Sequence, residues 1–197
     1  MTGDDEAPAR RGRPLRADAR RNEDRVLEAA AAAFARDGIG ASVKDIARDA
    51  GVGVGTLYRR FPSKELLVEA AYRHEVQRLC EAAPHLAATR PPEEALRTWM
   101  ESFIDFMAAK HGMADALRVV LTDDSEKMHT RALLAEAITH LLAPRDGGDG
   151  QRMARPDVDP QDVLMALGGI SLMAASEEHR GLATRLIDLL LHGIVRS

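Results

Sequence analysis

Apolar residues return along this chain at helical spacing, and the strict alternation that marks strands is missing. The clearest case is Val43, Ile46, Ala47 and Ala50, one stripe that predicts a short helix. Ser42 stands at its N-cap position and Asp45 follows three residues later, a capping-box pattern. Gly51 falls just past the last apolar position, where a left-handed C-cap residue is expected, and Val52 would plug the turn. A second short helix is expected over about 54–60, with Leu57 and Phe61 turned inward and Ser63 capping the helix after it. Helix, glycine turn and helix over 42–61 is the layout of a DNA-reading helix-turn-helix, although ordinary helix pairs in all-α proteins share the pattern.

The rest of the chain also reads as helical, with no internal repeat. Helices are expected over about 63–83, ended by Pro84; from Pro91-Pro92 to about 110; over about 113–121; and from Asp123 or Asp124 to about 143. A glycine-rich loop follows at 146–157. Asp159-Pro160 opens a helix to about 175, and a last one covers about 180–195. Val163, Leu167, Ile170 and Ala174 form one stripe there. Leu182, Leu186, Leu189 and Leu190 form another, with Ile187, Leu191 and Ile194 beside it. The last helix is thus apolar around more of its circumference than one core requires, although ordinary packing within the chain shares the pattern.

Charge changes the picture more than composition does. The 197 residues carry a net −4, unhelpful for a general nucleic-acid binder. Residues 10–64, however, hold 13 Lys and Arg against 7 Asp and Glu, while residues 65–197 hold 14 against 21. The positive charge is gathered around the expected reader. An arm before the first helix holds Arg10, Arg11, Arg13 and Arg16, and Arg20 and Arg21 follow it. Gly12, Pro14 and its polarity predict disorder over 1–18. Arg11-Gly-Arg-Pro14 is similar to the core of an AT-hook, so the arm either lays Arg11 and Arg13 into a narrow minor groove or makes diffuse phosphate contacts.

Other classes find little support. No run of eighteen apolar residues predicts a membrane span. The N-terminus turns from acidic to basic without an apolar stretch, so no export signal is expected and the cytoplasm is the expected location. The single Cys80 excludes an intramolecular disulfide framework and is expected to be a buried, inert thiol. No His, Cys or acidic spacing suggests a metal, and no cofactor motif, nucleophile–base pair or phosphate loop suggests an enzyme. Glu177-Glu178-His179 has suitable residue types but falls between two helices.

The outer face of the two short helices would carry Ser42, Lys44, Val54, Gly55, Thr56, Tyr58, Arg59 and Arg60, followed by Lys64 in the next helix. Gly53 and Gly55 permit close backbone approach. Tyr58 offers a hydroxyl to a phosphate, Arg59 can fork onto guanine, and the Thr56 methyl can meet thymine. Lys64 in a first helical turn opposes the helix dipole and calls for a nearby anion.

At these residues the chain strongly resembles the TetR family of bacterial transcriptional regulators. The likeness covers about 19–77 and includes Val26-Leu27-Glu-Ala-Ala30, Phe34-Ala-Arg-Asp-Gly38, Val43-Lys-Asp-Ile-Ala47, Ala50-Gly-Val52, Gly55-Thr-Leu-Tyr58 and Phe61-Pro-Ser-Lys-Glu-Leu66. The resemblance implies an all-α protein: an arm over 1–18, a three-helix helix-turn-helix DNA-binding domain over 19–79, and a larger helical ligand-binding and dimerisation domain over 83–197. It implies that the positions from Ser42 to Lys64 named above face a double-stranded DNA operator. Two departures stand out. Gly53 replaces the usual serine and loses a phosphate-binding hydroxyl. Arg60 replaces a frequent histidine or tyrosine, and its charge should favour backbone contact. Lys44, Thr56 and Arg59 would then carry most of the base reading.

The C-terminal half looks most like the SbtR-like branch of the family, from Val163 to Gly193. The resemblance implies a homodimer through the last two helices, a palindromic operator, and a small-molecule effector that releases a repressor through the fourth helix. Trp99, Met100, Phe103, Met107, Met113, Leu117, Met128 and Met165 are candidate walls of the effector pocket, methionine being adaptable filler, though plain core packing explains each of them too. His111 and His140 are candidates for a polar contact to the effector.

Overall fold

The computed structural model describes residues 12–121, 123–144, 154–173 and 180–195. Those residues form α1 (Gly12–Asp37), a 3-10 turn η1 (Gly38–Gly40), α2 (Val43–Asp49), α3 (Val54–Arg60), α4 (Lys64–Thr89), α5 (Pro92–Gly112), α6 (Ala114–Val120), α7 (Asp124–Leu142), α8 (Pro160–Met173) and α9 (Arg180–Ile194). Among them there is no strand, only an isolated antiparallel bridge between Ala154 and Val195, with the Arg155 amide donating to the Ile194 carbonyl at 2.9 Å. No described helix is long and apolar enough to cross a membrane.

The N-terminal head packs α1, α2 and α3 around Val26, Leu27, Ala30, Phe34, Ile46, Ala47, Leu57 and Phe61, all buried. The core then runs without a break along α4 into the body, through Leu67, Val68, Ala71, Tyr72, Val76, Leu79 and Ala83. Tyr72, Phe106, Phe103 and Trp99 follow one another as an aromatic ladder with ring centroids 5.9–6.1 Å apart, joining α4 to α5.

Two expectations from sequence are corrected here. Residues 12–18 are the start of α1, not part of a disordered arm, and Arg13-Pro14 therefore has helical rather than extended backbone. Proline is tolerated there because the first N–H groups of a helix have no internal partner. Arg11 lies outside the described residues.

Pro84, for its part, does not end α4. The helix continues to Thr89 with Pro84 inside it. An interior proline costs about 3 kcal/mol in isolation, but Ala83 and Leu86 on either side are buried in the core, and the Trp99 indole N–H donates to the Leu79 carbonyl at 2.8 Å in the turn before it. Tertiary burial outweighs propensity.

The junction between head and body is unusually close. Gly38 has φ +57°, and a Cβ there would lie 3.2 Å from the Gly112 carbonyl oxygen. A Cβ on Gly112 would stand 2.5 Å from the Ala35 carbonyl oxygen and 2.7 Å from its Cα. Glycine is required where α5 ends against the end of α1. Elsewhere ion pairs span the helices: Arg97 of α5 with Asp188 of α9, and Arg73 of α4 with Glu126 of α7 at 2.8 Å.

On α8 and α9 the core-facing positions are Val163, Leu164, Leu167 and Ser171, then Ala183, Ile187, Leu191 and Ile194. Leu182, Leu186 and Leu190 are half-buried. Met165, Leu172, Met173 and Leu189 are between 55 and 69 % exposed, so these two helices turn a second apolar face outward. Ala174, the Glu177-Glu178-His179 turn and most of the 146–157 loop lie outside the described residues.

Candidate nucleic-acid interface

The reading head is set by two caps and a turn. The Ser42 hydroxyl accepts from the Asp45 amide at 3.3 Å and starts α2. The helix closes as a Schellman motif: the Gly51 amide donates to the Arg48 carbonyl at 3.0 Å and the Val52 amide to the Ala47 carbonyl at 2.9 Å, with Gly51 at φ +67°. Val52 packs against the core as the plug of the turn. Gly53 then caps α3 through its backbone alone, with no side-chain bond. Its φ of −70° is open to any residue, and a Cβ there would meet only the Thr56 hydroxyl at 3.8 Å. Leu57 and Phe61 anchor α3 inward. Ser63 caps α4 by accepting from the Leu66 amide at 3.3 Å.

These anchors leave Ser42, Lys44, Gly55, Thr56, Tyr58, Arg59 and Arg60 exposed on one side of the head. Val54 is half-buried against the core and offers little surface. Lys44 and Arg59 have no ion-pair or hydrogen-bond partner among the described residues, so both present a full charge outward.

Two cations on this face are differently placed from what the sequence suggests. The Lys64 ammonium donates to the Ile39 carbonyl and ties the start of α4 to η1, so its position against the helix dipole is met by a backbone oxygen. Arg60 is gripped by Glu23 of α1: Nε and Nη2 donate to the same carboxylate oxygen at 3.1 and 2.6 Å, and the guanidinium lies 5.8 Å from the Phe61 ring centre. No local pattern signals this pair. Its members stand 37 residues apart, and only the fold brings them together.

The chain that shapes this face has relatives of known structure. Residues 26–71 match the bacterial regulatory proteins of the tetR family, and residues 91–196 match the C-terminal domain of SbtR-like transcriptional regulators. The protein belongs to the TetR family. A TetR transcriptional regulator of Streptomyces coelicolor is 45% identical, aligns over 89% of this chain and 99% of its own, and superposes with a TM-score of 0.80. A TetR transcription regulatory protein of Mycobacterium vanbaalenii is 33% identical over 93% of this chain and 100% of its own, with a TM-score of 0.69. LfrR of Mycobacterium smegmatis, solved with proflavine, shares the fold at 24% identity and a TM-score of 0.59, over 91% of this chain and 99% of its own. A TetR regulator binds DNA and controls transcription, and α2 and α3 of this one are its helix-turn-helix.

The proposed effector residues divide. Trp99, Met100, Phe103, Met113 and Leu117 are buried in the body, and Met107 is half-buried against the core. Met128 and Met165 stand apart from that set, at 69 and 63 % exposed. Met128 precedes the part of α7 that Leu134, Ile138 and Leu141 bury, and Met165 lies opposite the core face of α8 made by Val163 and Leu167. His140 is exposed. His111 is half-buried, and its Nδ1 is buried without a partner among the described residues. A shallow groove of about 390 Å³ lies elsewhere, between α1, α4 and α5, over Ala31, Ala35, Ala82 and Phe106. Cys80 is half-buried; burial first, then Glu136 and Glu81, push its thiol pKa up.

Proposed function

We propose that this TetR regulator is a cytoplasmic repressor that sits as a C2 homodimer on a palindromic operator and leaves when a small molecule binds its body. The observation that carries the DNA-reading half is the exposed face of α3, with Thr56, Tyr58 and an Arg59 that has no partner among the described residues, together with the exposed Lys44 of α2. Thr56, Arg59 and Lys44 read bases. Ser42, Tyr58 and the backbone at Gly55 meet phosphates, with Arg60 and Lys64 near the backbone and Val54 at the edge of the contact. Arg11 and Arg13 extend the footprint. The reading head occupies 19–79 and the body 83–197, with α4 shared between them.

The outward apolar face of α8 and α9 supports the dimer, since a four-helix bundle made with a second copy would cover it. Such a dimer sets two α3 helices about 34–36 Å apart, one turn of DNA. The buried set from Trp99 to Leu117 is where the effector enters, and it releases DNA by favouring a state with another spacing.

Selection of genomic fragments by the purified protein, followed by gel shifts across salt, tests the reading. Specific fragments should emerge, and affinity should fall by about three to five orders of magnitude between 50 and 200 mM salt for a dimer making some 6–10 phosphate contacts. Arg59→Ala should cost about 1–3 kcal/mol and relax preference at one base pair. No enrichment over random duplex at low salt would end the proposal.

A further inference from the structure

We infer that Glu23 is an electrostatic brake on DNA binding: by holding Arg60 it cancels one positive charge on the face of α3 that meets the duplex. The inference rests on the proposed docking of that face. The two arginines ending α3 are not equivalent. Arg59 is exposed without a partner among the described residues, whereas Arg60 gives Nε and Nη2 to one oxygen of Glu23 at 3.1 and 2.6 Å. The carboxylate is the more enclosed member, its side chain 35% exposed against 65% for Arg60, and the Phe61 ring backs the guanidinium. The pair therefore shows the solvent a guanidinium whose charge is matched from behind.

Binding to a polyanion scales with the net number of cations brought to the phosphates. Arg60, read alone, counts as one. Read with Glu23, it adds close to nothing, and the carboxylate repels any phosphate that approaches the end of α3. The Nη1 nitrogen remains free to donate, so Arg60 can still orient a phosphate oxygen without adding full attraction. An exposed pair of this kind contributes little to folding. Its effect falls on affinity for DNA of any sequence, which keeps the head from being trapped on random duplex while base contacts are left intact.

The test is a charge cycle on the full-length protein, read by fluorescence anisotropy with a labelled random duplex and with a selected fragment, across a salt series. Glu23→Gln should tighten binding to both duplexes by roughly three- to tenfold and steepen the slope of log affinity against log salt by about 0.9 per head. Arg60→Gln should weaken both. Glu23→Gln with Arg60→Gln restores the starting net charge and should return both affinity and slope close to wild type. Glu23→Ala serves as a second neutral variant, and thermal melts by circular dichroism check that each protein is folded. Unchanged or weaker binding by folded Glu23→Gln and Glu23→Ala overturns the brake, as does a double variant that behaves like Arg60→Gln alone. A wild-type protein that binds no duplex at low salt overturns the docking of α3 itself, and the brake with it.

Discussion

At the scale of single residues, three glycines on or near the reading head differ in what they demand. Gly51 holds φ +67° in the Schellman turn, so Gly51→Ala should cost about 1 kcal/mol, measured by urea unfolding. Gly53 holds an ordinary φ with open space around it. Glycine is only a few tenths of a kcal/mol poorer than serine as an N-cap, so Gly53→Ser should leave stability within about 0.5 kcal/mol while adding a hydroxyl that tightens DNA binding in a gel shift. Gly40 has nothing within 4 Å of where a Cβ would stand, and needs neither special conformation nor room. Cys80 offers a different check. Its raised pKa leaves less thiolate at pH 7.5 than a free cysteine has, so iodoacetamide should label the folded protein slowly and the unfolded one quickly. The caps, the plug and the turn of the head are legible in sequence because each depends on neighbours within five residues. Arg60 is not, because the residue that neutralises it sits in another helix. Nor is Lys64, whose partner is a backbone oxygen that no sequence pattern reveals.

At the scale of elements, local signals locate α2 to α9 and fail where packing has the deciding vote. Pro84 reads as a stop, yet α4 runs five residues past it because Ala83 and Leu86 are worth burying. The start of α1 fails in the other direction: arginines, Gly12 and Pro14 read as a loose arm, although a proline in a first turn is compatible with a helix. Met128 and Met165 read as candidate pocket walls because methionine is adaptable filler, but composition does not say which side of α7 and α8 faces inward. The contact between α5 and α1 gives a sharper prediction. Gly112→Ala places a methyl group 2.5 Å from a backbone oxygen that cannot rotate away, so the helices must part, at a cost of about 1–3 kcal/mol in urea unfolding. Gly40→Ala is the matched control and should change stability by less than about 0.5 kcal/mol.

For the molecule as a whole, acidic body and basic head form one chain with a continuous core, and the body presents apolar surface that no other described residue covers. Leu189→Glu, on that surface and away from the core, should convert the proposed dimer to folded monomer in analytical ultracentrifugation, with a thermal melt confirming that the monomer is folded and with specific DNA binding lost. The same helix shows why the seam is only half legible. Apolar residues around much of α9 exceed what one core requires, but only the fold tells Ile187 and Leu191, which face the core, from Leu189, which does not.

One further consequence concerns α4, which belongs to head and body alike. Its 26 residues span about 39 Å at the usual helical rise. Swinging a shaft of that length by about 5° moves its far end by roughly 3.4 Å, the height of one base step along a DNA strand. A pivot too small to disturb the packing at one end is thus amplified, at the other, into a full rung of misalignment.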